Sequence, residues 1–155
     1  MGLFNTSEEL RDELIQPYID EGFEVSKVVD LFYKGCLFLV DTKNKKFAYT
    51  NQKLYKDGIV KIYNFKDLIR YDNNSSETEI GSSSVRLFGN FVSTTKNNNN
   101  KRKIVLYLDT DDIDNSTLTI LDCVFNSQSI VGMSGNPDKI VEEITKVLEY
   151  ILNHK

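Results

Sequence analysis

Residues 136–151 read Asn-Pro-Asp-Lys-Ile-Val-Glu-Glu-Ile-Thr-Lys-Val-Leu-Glu-Tyr-Ile, the clearest structural signal in the chain. Asn136 offers an N-cap side chain, Pro137 suits the first helical position, and Asp138 complements the positive end of the helix dipole. An apolar stripe follows at helical spacing, formed by Ile140, Ile144, Val147, Leu148 and Ile151. We therefore predict an amphipathic helix over residues 136–155, with the stripe facing inward and the charged residues in water.

The chain before this helix has the patterns typical of strands. Residues 36–40 are a continuous apolar run, 41–45 resemble a turn, and 46–50 resemble the returning strand. Further strands are predicted over residues 59–63, 65–71, 85–91, 104–108 and 117–121. The run at 104–108 is the most strand-like and is expected to be central. Polar composition predicts an exposed loop over 73–84 and a hairpin tip over 96–101.

The start of the chain predicts an acidic helix. Thr6 and Glu9 match a capping box, and an apolar side of the helix would be formed by Leu10, Leu14 and Tyr18. Pro17 should end or kink this helix because proline lacks the backbone N–H of the helical hydrogen bond. Residues 25–33 fit a helical turn as well as a strand. We group residues 1–33 as an N-terminal helical segment.

Bulk properties indicate one ordinary soluble domain over residues 1–155, with strands over 34–135. The 155 residues are 40% hydrophobic and 27% charged, and no apolar run reaches the length of a membrane span. The net charge of −4 argues against a nucleic-acid partner, which would favour a basic face. Cys36 and Cys123 are far apart among apolar neighbours, which predicts free buried thiols and a reducing cytoplasm.

Charge is distributed unevenly along the chain. Residues 1–30 hold eight acids and two bases, whereas residues 43–70 hold eight bases and two acids. The candidate residues for a ligand or partner are those of two lysine-bearing loops: Lys43, Lys45, Lys46, Lys96, Lys101, Arg102 and Lys103. Such loops can meet anionic head groups or phosphates, and they also keep a protein soluble and protect strand edges.

Motifs for catalysis or cofactors are missing from the sequence. The single histidine, His154, lies next to the last residue, so no histidine-based triad is expected. Two distant cysteines and this histidine do not form a normal zinc ligand set, and no glycine-rich phosphate loop occurs. We expect no catalytic, cofactor or metal site.

An acidic run and a group of three tyrosines each allow two interpretations. The acidic run 109–114 is the best cation candidate, but the fifth and sixth positions of an EF-hand loop would be Ile113 and Asp114, so an acidic turn is favoured. Three tyrosines belong either to an aromatic core or to an exposed groove, namely Tyr49, Tyr55 and Tyr63.

The order of elements resembles a family. The resemblance is to bacterial and phage pleckstrin-homology-like (PH-like) domains of uncharacterised proteins, and it is carried by residues 37–41 with 45–47, the Tyr-Asn-Phe-Lys-Asp-Leu-Ile stretch at 63–69, the strand 104–108 and the helix 137–152. The resemblance implies an α+β fold. Its architecture is a strongly bent antiparallel sheet or partly open barrel, closed at one end by the C-terminal helix.

Three functions are compatible with these observations. The first is a non-enzymatic binding module that contacts an unknown protein partner, as the PH-like resemblance implies. The second is peripheral binding to an anionic membrane surface or a phosphorylated ligand through the lysine-bearing loops. The third is a phage-type inhibitor of a host or defence enzyme, whose acidic N-terminal helix would occupy a basic site.

Overall fold

The computed structural model describes residues 7–31, 35–74, 76–79, 98–126 and 137–155. The elements along the chain are α1 (Glu8–Asp20), β1 (Lys27–Asp30), β2 (Leu37–Asp41), β3 (Lys46–Thr50), α2 (Gln52–Lys56), β4 (Tyr63–Asn64), β5 (Leu68–Asn73), β6 (Ser76–Glu79), β7 (Asn98–Leu108), β8 (Thr117–Asn126) and α3 (Pro137–Asn153). Two short 3-10 turns occur at Phe65–Asp67 and Ile113–Asn115. The strand predicted over 85–91 lies outside the described residues.

The first sheet, sheet A, is an antiparallel meander in the order β1-β2-β3-β4. Every residue of β2 is buried because both faces of the sheet are covered. Leu37 and Leu39 pack with α1 in one apolar cluster, whereas Phe38 and Val40 face the larger core. This accounts for the continuous apolar run at 36–40, since a strand buried on both faces does not alternate.

The chain passes from sheet A to the second sheet, sheet B, at the turn Phe65–Asp67. The N–H of Phe65 still bonds to the carbonyl of Lys45 in sheet A (2.8 Å), and the carbonyl of Asp67 already accepts from Asp109 beside sheet B (2.7 Å). The Asp67 carboxylate accepts from the N–H of Asn64 at 2.9 Å, which stabilises the turn. This turn is therefore the junction of the two sheets.

Sheet B is built around β7. This strand has two edges, and β8 pairs along nearly the whole of one of them. β5 pairs with the second half of β7 and β6 with the first half, so β5 and β6 follow each other along the other edge. The prediction of a central strand at 104–108 is confirmed.

The C-terminal helix α3 covers the place where the sheets meet. It contacts β1 of sheet A, β5 of sheet B and the turn between the sheets. Ile144, Leu148 and Ile151 are fully buried there. The charged residues Glu142, Glu143, Lys146 and Glu149 are exposed. The inward orientation of the predicted stripe is confirmed, while the N-cap residue Asn136 lies outside the described residues.

The N-terminal predictions need three corrections. Helix α1 uses Ser7 as its N-cap, with the Ser7 hydroxyl accepting from the N–H of Leu10 at 3.2 Å, so the cap follows the predicted Thr6 by one residue. The helix continues beyond Pro17 to Asp20 because the buried Leu14 and Tyr18 hold its last turns against sheet A. The third correction concerns residues 25–33, which fitted a helical turn or a strand and were grouped with the helical segment. Residues 27–30 form the strand β1.

One strand prediction and one loop prediction were also partly wrong. Residues 59–62 form no strand, and only Tyr63 and Asn64 pair with β3. Within the predicted loop 73–84, residues 76–79 form β6, and residues 80–84 lie outside the described residues. A polar strand such as β6 is held by backbone hydrogen bonds to its neighbour. Its sequence therefore lacks the alternation of apolar and polar residues by which a strand is predicted.

The architecture is α+β, with two antiparallel sheets and helices at both ends. Over the described residues, the architecture predicted as a strongly bent antiparallel sheet or partly open barrel consists of two antiparallel sheets, which form no closed barrel. The 3-10 turn at Phe65–Asp67 separates β4 of sheet A from β5 of sheet B. No helix in the described part of the chain combines the length and the apolar character needed to cross a membrane.

Candidate functional site

The first predicted lysine-bearing loop is the turn between β2 and β3. Lys43 and Lys45 are exposed there, and Lys46 is half-buried at the start of β3. The Lys43 ammonium lies 3.5 Å from the Glu24 carboxylate, so its charge is already shared with an acid. Lys45 takes the left-handed backbone conformation, with φ of 54°.

Asp41 organises this turn from within the protein. Its carboxylate accepts from the backbone N–H of Glu24 (3.0 Å) and from the backbone and side-chain amides of Asn44 (2.9 and 2.8 Å). Burial alone would raise the pKa of Asp41, but these hydrogen bonds outweigh it and lower the pKa below its usual value. The turn is therefore anchored to the rest of the fold by a buried carboxylate.

The residues of the second predicted basic loop that the structure describes form part of a strand. Lys101, Arg102 and Lys103 lie within β7, and the alternation of the strand places Arg102 on the buried side. Its guanidinium bonds to the Asp138 carboxylate at the start of α3, from Nε at 2.9 Å and Nη2 at 2.5 Å. Arg102 thus joins a strand to the closing helix, and Lys96 lies outside the described residues.

A cleft opens at the edge of sheet A beyond the short strand β4. Continuing the β3–β4 register would place residues 60–62 opposite residues 48–50, but pairing stops at Tyr63. The space is lined by three tyrosines, Tyr18, Tyr49 and Tyr63, and has a volume of about 270 Å³. We call it the tyrosine cleft. It brings together two of the three tyrosines singled out from the sequence.

Helix α2 explains why the strand pairing stops. Gly58, with φ of 68°, donates to the carbonyl of Tyr55 (3.1 Å), and Ile59 donates back to the carbonyl of Leu54 (2.9 Å). This is a Schellman motif, which also brings together the apolar residues on either side of the helix end. Leu54 and Ile59 both line the cleft, with Leu118 from β8.

Tyr18 is held by a second motif of the same type at the end of α1. Gly22, with φ of 93°, donates to the carbonyl of Ile19, and Phe23 donates to the carbonyl of Tyr18 (3.0 Å). The rings of Tyr18 and Phe23 meet edge to face at 6.4 Å. The Tyr18 hydroxyl reaches the carbonyl of Tyr49 at 3.4 Å.

The three phenols of the cleft stay protonated at neutral pH. Burial raises the pKa of Tyr49 to about 12, and the neighbouring Cys36 thiol adds to this rise. Burial also raises the pKa of Tyr18 and of Tyr63, in the second case with a contribution from Tyr18. Lys61 is the one charged side chain among the described residues that line the cleft.

A separate groove lies between α1 and α2, and we call it the α1–α2 groove. Its acidic side chains are Asp12, Glu13 and Asp20, all exposed, and its aromatic wall is Tyr55, which is 43% exposed. The volume of the groove is about 480 Å³. Tyr55 therefore belongs to this groove rather than to the tyrosine cleft.

The acidic run 109–114 is an exposed connection that ends within the turn Ile113–Asn115. No group of three or more potential metal ligands of the His, Cys, Asp or Glu type occurs among the described residues. Cys123 is buried and Cys36 is half-buried, and both are free thiols.

Sequence reasoning missed Tyr18, Leu54, Ile59 and Leu118 as partners in a site. The end of α2 had a readable signal, since Asn51 and Gly58 suit the two caps of a short helix. The meeting of the other residues depends on tertiary structure and has no local signal. No protein-family model matches the chain, and comparison with curated proteins and with solved structures finds no significant match.

Proposed function

We propose that the protein is a non-enzymatic binding module of the PH-like kind, and that the α1–α2 groove binds a basic segment of a partner protein. The single observation that carries this proposal is the groove itself, in which exposed carboxylates surround an exposed tyrosine ring. The pair of antiparallel sheets with a helix over their junction supports the PH-like part of the proposal.

The chemistry of the groove suits an arginine or lysine side chain. A cation over the Tyr55 ring would gain about 0.5–1 kcal/mol at an exposed site. Asp12, Glu13 and Asp20 would add attraction from the α1 side. Among the described residues, none of these three carboxylates forms an ion pair, whereas Arg11 on the same helix is paired with Asp30. Asp12 and Glu13 are therefore available to a partner, whereas one oxygen of Asp20 already accepts from the Gln16 side-chain amide at 2.9 Å.

The lysine-bearing loops support an anionic ligand less well. The charge of Lys43 is shared with Glu24, and Arg102 is buried against Asp138. A phage-type inhibitor that occupies a basic enzyme site would use the same acidic groove, so it is a special case of the proposed function.

The test is titration of the ¹⁵N-labelled protein with a short arginine-rich peptide, followed by amide chemical shifts. The matched peptide carries citrulline, the uncharged isostere, at each arginine position. We expect shifts around Asp12, Gln16 and Tyr55 with the arginine peptide only. Binding should weaken strongly at high salt because exposed charges are screened within about 3 Å at 1 M ionic strength.

The decisive variant is Asp12→Asn with Asp20→Asn, and its control is Asp111→Asn with Asp114→Asn in the other exposed acidic segment. Each exposed ion pair contributes about 0.2–1 kcal/mol, so the groove variant should bind roughly fivefold more weakly and the control should bind normally. Equal losses in both variants, or shifts centred on residues 109–114, would refute the groove as the docking site.

A further inference from the structure

The tyrosine cleft has features of a ligand site that the α1–α2 groove does not share. Three aromatic rings of sheet A form a stack across its strands. Phe38 of β2 stacks on Phe47 of β3 at 5.8 Å between ring centroids, and Phe47 stacks on Tyr63 of β4 at 5.3 Å. Because β4 is the edge strand, the stack ends at Tyr63, which lines the cleft.

The size of the cleft suits a small aromatic molecule. A cavity of about 150 Å³ with apolar walls can hold one benzene ring. The tyrosine cleft, at about 270 Å³, has room for one ring with a polar substituent. Leu54, Ile59 and Leu118 supply apolar contacts beside the ring of Tyr63.

The polar groups of the cleft favour an anionic substituent. Lys61 lines the cleft and takes part in no ion pair found within the described ranges. Asn115 and Thr117 are exposed on the β8 side; the Asn115 amide already donates one hydrogen bond to Asp112, and its second N–H and the Thr117 hydroxyl can donate to a ligand. No carboxylate from the described residues lines this space directly, and the nearest acid on the β8 side, Asp112, lies behind Asn115, whose side-chain amide donates to it.

We propose that the tyrosine cleft binds a small aromatic carboxylate. The ring of the ligand continues the aromatic stack beyond Tyr63, and its carboxylate lies at Lys61. This site is separate from the α1–α2 groove and goes beyond the proposed function, so either proposal can fail without the other.

The probe is benzoate, titrated into the ¹⁵N-labelled full chain, with cyclohexanecarboxylate and benzamide as matched ligands. Cyclohexanecarboxylate keeps the charge without the aromatic face, and benzamide keeps the ring without the charge. We expect saturable shifts at Tyr63, Thr117 and Leu118, with a Kd on the order of 1 mM or below for a ligand of this size. Both matched ligands should bind more weakly than benzoate.

Three variants test the assigned contacts. Tyr63→Leu should weaken benzoate binding roughly tenfold through loss of ring stacking, while Tyr150→Leu, at an exposed tyrosine of α3 that lines neither site, should not change it. Lys61→Gln should weaken it roughly two- to fivefold, while Lys66→Gln, an exposed lysine outside the cleft, should not. Thr117→Trp fills the mouth of the cleft from an exposed position and should abolish binding without touching the core.

The proposal is overturned if millimolar benzoate produces no saturable shifts in the wild-type protein. It is also overturned if cyclohexanecarboxylate binds as tightly as benzoate, since the aromatic stack would then contribute nothing. Unchanged binding by Thr117→Trp would place the ligand elsewhere. The circular dichroism spectrum of each variant, recorded before titration, identifies variants that have lost the fold.

Discussion

The ion pair between Arg102 and Asp138 makes an asymmetric prediction for stability. The Arg102 side chain is 7% exposed, whereas the Asp138 side chain is 67% exposed. Removing the acid therefore takes a charged acceptor away from a buried guanidinium, but removing the arginine leaves a carboxylate that water can solvate. We expect Asp138→Ala to destabilise the protein more than Arg102→Met, which replaces the buried charge by an apolar side chain.

The size of the effect follows from the geometry. Two unit charges about 4 Å apart interact by about 4 kcal/mol at an effective dielectric constant of 20 and by about 1 kcal/mol in water. The exposure of Asp138 favours an intermediate value of about 2 kcal/mol. Loss of an acid from the first turn of α3 adds about 0.3–1 kcal/mol through the helix dipole. The expected total for Asp138→Ala is about 2–3 kcal/mol, against about 1 kcal/mol or less for Arg102→Met.

Urea denaturation followed by far-ultraviolet circular dichroism measures both variants. With a urea dependence of about 2 kcal/mol per M, Asp138→Ala should lower the midpoint by about 1 M. The control is Glu142→Ala, which removes an exposed acid paired with Lys146 on the same helix and should cost about 0.5 kcal/mol or less. The prediction is refuted if Asp138→Ala lowers the unfolding free energy by no more than this control does, or if Arg102→Met lowers it more than Asp138→Ala.

Four further predictions concern single positions. Gly58→Ala should cost about 1 kcal/mol of unfolding free energy, measured by urea denaturation, because its φ of 68° disfavours a side chain although no atom obstructs the added Cβ. The pKa of Tyr49 is raised from 10.0 to about 12, so its contribution to the unfolding free energy is complete below pH 10 and is lost as the pH rises towards 12. Chemical denaturation at successive pH values should therefore show the unfolding free energy falling over this range. The decrease should be smaller for Tyr49→Phe, which has no phenol to ionise. Burial raises the pKa of Cys123 to about 11, so a thiol reagent followed by absorbance should modify it far more slowly in the native protein than in urea. Leu148→Ala removes a fully buried side chain of α3 and should cost about 2–5 kcal/mol by the same denaturation assay, whereas a cost below 1 kcal/mol would contradict the packing of this helix.

Much of the architecture could be predicted from local patterns. The stripe of α3 was readable because helical spacing places Ile144, Leu148 and Ile151 on one face, and burial of that face stabilises the helix. The continuous apolar run of β2 predicted a strand because its length is typical of a buried strand. Its burial on both faces required knowledge that α1 covers the outer side of sheet A.

The position of Arg102 was predicted wrongly, although the alternation of its strand indicated that the side chain is buried. Its neighbours in a polar, asparagine-rich stretch predicted a hairpin tip. Counting back in steps of two from Leu108 and Leu106 places Arg102 on the buried face of β7, as the structure has it. What the sequence did not contain was the partner, Asp138, which lies 36 residues away.

The sequence by itself determined the types of most elements, the amphipathic closing helix and the uneven distribution of charge. These depend on side-chain periodicity, capping and composition, which act over a few residues. Only the tertiary structure decided that β4 stops after two residues, that Tyr18 meets Tyr49 and Tyr63, and that Arg102 bonds to Asp138. The tyrosine cleft exists because strand pairing ends where α2 turns the chain away, and the register between distant segments sets which side chains meet there.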